Sequence, residues 1–145
     1  FGSMDDPRDL SRFHGTELAL AAHGLKPYHM APRTISSVAL GRQMFLQMQQ
    51  VRPDIDAIFC TNDDLAVGVL LECQAQGKTV PQEMAIAGFH GLEIGRARLQ
   101  KIASVITPRY EIGKTASEIL IARLAGKDAP DSVNLAYQIY YGDTL

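Results

Sequence analysis

The chain predicts an α/β fold: a mainly parallel sheet with helices on both faces. Three features carry that expectation. Apolar runs at residues 57–60, 84–88 and 102–106 are too short for helices and read as strands buried on both faces. Segments of helical spacing lie between them, opening at Asp, Ser or Asn and closing at Gly or Pro. The connections are only a few residues long, which suits right-handed crossovers between neighbouring parallel strands.

Taken in order, Asp6 is placed to cap a first helix with Pro7 at its first position, and that helix runs through Leu18, Leu20 and Ala22 to a stop at Gly24. A short extended piece at 28–30 follows. Ser36 or Ser37 then caps a second helix through Met44, Phe45 and Met48, which Pro53 ends. The strand at 57–60 leads into a helix over 63–76, closed by Gly77. Residues 84–88 form the next strand, 91–98 a short helix, 102–106 another strand and 110–124 a long amphipathic helix ended by Gly126. Aromatic residues at 135–141 mark a last strand.

With 145 residues, 46% hydrophobic and 21% charged, the chain suffices for one compact core. A formal charge of -2 and a pI near 6.1 give no basic field to hold a phosphate backbone, so this chain alone is not expected to bind nucleic acid. Cys60 and Cys73 sit inside apolar segments and read as buried thiols of a reducing cytoplasm, not as a disulfide. No apolar stretch nears the roughly twenty residues of a membrane span, and none resembles a secretory leader. A cytoplasmic location without a membrane partner is expected. Phe1 and Gly2 read as the end of a strand and its turn, which suggests a fragment of a longer chain.

Catalytic templates fit poorly. Gly77-Lys78-Thr79 and Gly113-Lys114-Thr115 resemble phosphate loops, but GxxxxGK[ST] requires glycine where Glu72 and Pro108 stand. There is no GxGxxG, GxSxG or CxxC, and His14, His23, His29 and His90 lack the spacing of zinc ligands. No catalytic residue, metal or cofactor is therefore assigned, and an enzyme is the weaker reading.

Parallel sheets gather ligands at the carboxyl ends of their strands, so the loops at 3–6, 61–63 and 89–91 and Thr107 are the places to seek a site. Asn62 stands where strand gives way to helix. Its amide is suited to cap the helix or to face a cleft and bond a small polar ligand, and position alone leaves both open. The following helix carries Leu65, Ala66, Val67, Val69, Leu70 and Leu71, more apolar surface than one stripe. One side meets the sheet. Val67, Leu70 and Leu71 are candidates for a subunit interface, although a helix fully covered within one domain has the same pattern.

Arg12-Phe13-His14-Gly15, FCTNDDLAVGVL at 59–70, VPQEMAIAGFHGLEIG at 80–95 and ITPRYEIGKTASEIL at 106–120 occur in an order that resembles the LacI/GalR family of bacterial repressors. The resemblance spans almost the whole chain. It matches the C-terminal part of the family's effector-binding core, a fold similar to periplasmic sugar-binding proteins, and is strongest to the branch that controls gluconate use. It implies a periplasmic-binding-protein-like subdomain over 1–145, with about 108–128 belonging to the N-terminal subdomain in the intact protein, and no DNA-binding headpiece within this chain.

The resemblance also implies effector contacts from Arg12, Asn62, Phe89 and His90, with Ser36 near the place where relatives carry a stacking aromatic; His14 and Thr61 flank these contacts. At position 90 sugar-responsive relatives usually have aspartate. A carboxylate about 4 Å from an acidic ligand costs on the order of 4 kcal/mol at an effective dielectric near 20, and imidazole removes that repulsion. Arg12 supplies a planar fork suited to a carboxylate. A sugar acid such as gluconate is thus the expected effector, ahead of a neutral hexose. A homodimer through Val67, Leu70, Leu71 and Arg98 is implied, with operator DNA bound only through the headpiece. A periplasmic sugar-binding protein and, less favoured, a small flavodoxin-like enzyme are the alternatives.

Overall fold

The computed structural model describes residues 1–3, 5–32 and 34–145; Met4, in the first of the loops expected to hold a site, lies outside them. Along the chain run α1 (Pro7–Ala21), α2 (Val38–Val51), β1 (Ala57–Phe59), α3 (Asp63–Ala75), β2 (Ala85–His90), α4 (Glu93–Arg96), β3 (Ala103–Ile106), α5 (Arg109–Leu124) and β4 (Gln138–Tyr140). The strands are ordered β1-β2-β3-β4. The first three are parallel and β4 returns antiparallel to β3.

Local chemistry sets the helix ends. The Asp6 side chain accepts from Arg8 N, that of Ser37 from Leu40 N and that of Asn62 from Asp64 N, each satisfying an amide that the helix leaves unpaired. Of the two serines that the sequence offers, Ser37 is the cap. At the far ends, Gly24, Gly77 and Gly126 take φ near +70°, which reverses the chain without a Cβ penalty. The helix expected over 91–98 shortens to α4 because Gly91 turns at φ 65° and Leu92 is still extended. The last strand is three residues, not the seven of 135–141.

The core lies where α3 presses on the sheet. Phe45 and Met48 of α2, Leu65 and Leu70 of α3, Ile86 of β2 and Ile102 are all buried to 1% exposure or less. Burial of such side chains is worth about 1.5–3 kcal/mol each. Cys60 and Cys73 join this cluster as free thiols.

The second partner of α3 is α2. The two helices approach backbone to backbone: a methyl on Gly68 would strike the Val38 carbonyl and the Arg42 nitrogen, and one on Gly41 would strike the Leu65 carbonyl. This overturns part of the expected subunit interface. Val67 is 1% exposed and Leu70 fully buried within this chain, so neither can meet a second subunit. An all-round apolar pattern states only that a second surface is present, and here α2 supplies it.

A buried carboxylate ties the strand ends together. Asp63 is 1% exposed; it accepts from the Ser104 hydroxyl on β3 at 2.7 Å and from Leu92 N, and Ser104 in turn accepts from Gly91 N at 3.0 Å. Burial raises the Asp63 carboxyl above the usual range. Gly88 is required beneath it, because a Cβ there would collide with the carboxylate.

The extended piece at 28–30 does not join the sheet. Phe1 N donates to Phe59 O at 2.7 Å and Thr61 N to Phe1 O at 2.9 Å, while Gly2 N donates to Met30 O at 3.2 Å. Residues 1 and 2 therefore bridge β1 and the 28–30 segment at one end. Beyond them a cavity of about 410 Å³ separates the two, lined by Phe13 and Leu20 of α1, Tyr28, His29, Ala57 and Phe59 among others. Segment 28–30 has one rung and no ladder.

Gly68→Ala is expected to destabilise the fold by about 1–3 kcal/mol, since both backbones at the α2–α3 crossing must give way. Gly15→Ala, in mid-helix with no atom within 4 Å of the new methyl, is expected to stabilise it by about 0.5–1 kcal/mol. Urea titrations of both variants check the opposite signs.

Candidate functional site

The carboxyl ends of β1, β2 and β3 and the start of α1 meet at one place. Arg12, in the second turn of α1, turns inward until its side chain is 15% exposed. Its Nη1 donates to Asp9 Oδ1 at 2.8 Å and to the Thr61 carbonyl at 3.1 Å. Asp9 is fixed in turn, accepting from Ser3 N at 2.8 Å. The guanidinium carbon lies 4.1 Å from the centre of the Phe89 ring, within cation–π reach. These contacts occupy Nη1 and one flat face, leaving Nη2 directed at His90 Nε2, 3.5 Å away.

His90 ends β2 with φ 101°, a backbone region that side chains rarely adopt. Among the described residues it is the only non-glycine with positive φ. Such strain persists where surrounding contacts fix it, and here they do. The imidazole stands edge-on to Phe89 at 5.2 Å and its Nδ1 is 3.4 Å from Thr107 Oγ1. Burial, followed by the charges of Arg12, Arg109 and Arg8, lowers its pKa below the ordinary histidine value; Asp9 opposes them. Near neutral pH the ring is uncharged.

Asn62 follows Thr61 at the same end of the sheet and is half-buried. Its Oδ1 accepts from Asp64 N at 2.8 Å, which leaves the Nδ2 donors without a protein acceptor among the described residues. Capping and ligand contact are thus compatible, since each uses a different end of the amide.

The structure brings Arg12, Phe89 and His90 into mutual contact and places Asn62 beside the residue that holds Arg12. Ser36 is not drawn in: it is half-buried ahead of α2, and among the described residues no hydrogen bond joins it to the cluster. His14 points to solvent, 3.8 Å from Glu17, and Thr61 contributes its backbone. Two participants were missed, Asp9 and Arg109, whereas Thr107 stood among the strand-end positions where a site was sought. Asp9 stands three residues before Arg12 on one helix, a spacing that pairs charges and could have flagged it. The 410 Å³ cavity is separate from this cluster, sharing only Thr61 with it. Chemically the arrangement offers fixed donors and an aromatic platform, the equipment of a binding site for a small polar or anionic molecule.

Comparisons with known proteins bear on the family and the fold. The family model of the periplasmic binding protein-like domain matches residues 2–145. The chain is 48% identical over 145 residues to the HTH-type transcriptional regulator IdnR of Escherichia coli K12, and 39% identical to GntR of the same strain; each alignment covers 99% of this chain and 44% of the relative. Among solved structures, the transcription regulator GntR from Chromobacterium violaceum is similar with a TM-score of 0.92 at 31% identity, covering 99% of this chain and 54% of that one. A LacI family transcriptional regulator from Silicibacter pomeroyi gives 0.89 at 32% identity, covering 99% and 44%. The chain spans less than half the length of the curated relatives it matches. The chain thus belongs to the periplasmic binding protein-like domain family, and over nearly its whole length it is similar to transcriptional regulators of the LacI family.

Proposed function

We propose that this chain is the effector-sensing part of a bacterial repressor that binds a small sugar acid, gluconate foremost, and releases operator DNA in response. One observation carries the choice of an acid: Arg12, held through Nη1 by Asp9, directs its Nη2 at an imidazole 3.5 Å away and not at a second carboxylate. Arg12 neutralises an anionic head group, Phe89 backs the guanidinium, and the Asn62 amide reaches hydroxyls. Similarity to IdnR and GntR supports the same reading.

The mechanism follows from the position of the site at the end of this lobe. Contacts from this half of a cleft and from a facing lobe favour one hinge setting, and that differential affinity shifts the DNA-binding headpieces. The crossing lies at Thr107 and Pro108. Helix α5 has no buried residue and exposes Ile112, Leu120, Ile121 and Leu124, which suits a seat on the facing lobe for residues 108–128. Among the described residues no helix is long and apolar enough to cross a membrane. Similarity to HTH-type transcriptional regulators supports a repressor that works in the cytoplasm.

Repression by paired headpieces needs a dimer. With Val67 and Leu70 in the core, the interface we propose uses Leu71 and Arg98 together with Ile94 and Leu99, the last fully exposed. Leu99→Asp combined with Ile94→Asp should give monomers in analytical ultracentrifugation, and a dimer unchanged at micromolar concentration would remove this face from the proposal.

Calorimetric titration of the full chain is expected to show gluconate binding in preference to neutral hexoses. Arg12→Ala should weaken it roughly 10- to 150-fold, the about 1.5–3 kcal/mol of a charge-assisted hydrogen bond. A preference for a neutral hexose would defeat the acid reading.

A further inference from the structure

The two imidazole nitrogens of His90 have unequal neighbours. Nδ1 faces a hydroxyl, Thr107 Oγ1, which can accept a hydrogen bond. Nε2 faces Arg12 Nη2, which can only donate. The free site thus selects the neutral ring protonated on Nδ1, with Nε2 as the acceptor toward arginine. A proton on Nε2 would set two N–H donors against each other at 3.5 Å. The ring cannot turn away easily, because the φ of 101° and the Phe89 edge fix its direction.

An anion alters this balance. A carboxylate seated on Arg12 Nη2 presents oxygens that accept from Arg12 and, once Nε2 carries a proton, from His90 as well. We infer that the effector binds together with a proton: the sugar acid's carboxylate and the His90 imidazolium form one ion pair beside Arg12, and the site grips the acid more firmly as pH falls from neutral. This rests on the sugar-acid reading above.

The charges that face the ring favour this coupling. From α1 come Arg8, Arg12 and Asp9, and from the start of α5 comes Arg109. Asp9 is already engaged by Arg12. Asp63 of α3 is turned to Ser104 and Leu92 N, away from the ring nitrogens. Burial, joined by three cations against one committed carboxylate, holds the free imidazole below its ordinary pKa. A bound carboxylate offsets part of that positive field and raises the pKa. Between the lowered pKa of the free site and the raised pKa of the complex, binding takes up as much as one proton, and affinity falls with rising pH. Outside that window the affinity is flat.

The test is calorimetry of gluconate binding to the full chain between pH 5.5 and 8, repeated in buffers of different ionisation enthalpy. The expected result is uptake of a fraction of a proton near neutral pH and affinity falling by up to about tenfold per pH unit at the steepest point. His90→Asn, which keeps hydrogen-bonding capacity but cannot titrate, is expected to bind more weakly and without proton uptake. Gluconate binding with neither proton uptake nor pH dependence would overturn the inference while leaving the sugar-acid reading intact. Retention of the uptake in His90→Asn would do the same, since the proton would then belong to another group. Preference for neutral hexoses, or no binding by sugar acids at any pH, would overturn both.

Discussion

Asp63 is a carboxylate almost without water, and the arrangement of the site depends on it. Leaving such a group unpaired in an apolar interior costs several kcal/mol, so the chain around it is constrained to supply donors. Ser104 supplies one from β3 and Leu92 another from the loop after β2. Two strand-to-helix junctions, those of β1 with α3 and of β2 with α4, and the body of β3 are thereby held in one register. Asn62 precedes the carboxylate directly, and the loop that it clamps begins at His90. Small movements of α3 along the sheet would disturb both, and the close packing of Gly68 on α2 resists such movement from the other side.

Arg12 is the second constraint and works differently. It reaches the site from a helix with only one buried residue, Asp9, and owes its direction to three anchors: Asp9, the Thr61 carbonyl and the Phe89 ring. Because these contacts are complete before any ligand arrives, little side-chain entropy remains to be lost on binding. A pre-set guanidinium with one free edge discriminates by charge and shape together, which a flexible lysine would not do.

Much of the fold was legible because local chemistry decided it. Asp6, Asn62 and the glycines at 24, 77 and 126 cap helices as their types suggest, and the three short apolar runs are the three parallel strands. Where the reading failed, the deciding contact was remote in sequence. Nothing within α3 states whether Val67 and Leu70 meet α2 or another chain. The site shows the same division: Arg12 and His90 stand 78 positions apart and were linked through resemblance to a family, whereas the φ of His90 and the unequal surroundings of its two nitrogens emerge only in three dimensions.

The carbonyl that steadies Arg12 belongs to Thr61, whose own amide donates to the Phe1 carbonyl at 2.9 Å, so a single residue stands between that backbone contact and the guanidinium. Local opening that frees Thr61 loosens Arg12 as well, and the two processes share one free energy. A ligand drawn to Arg12 therefore steadies the Thr61 backbone in return.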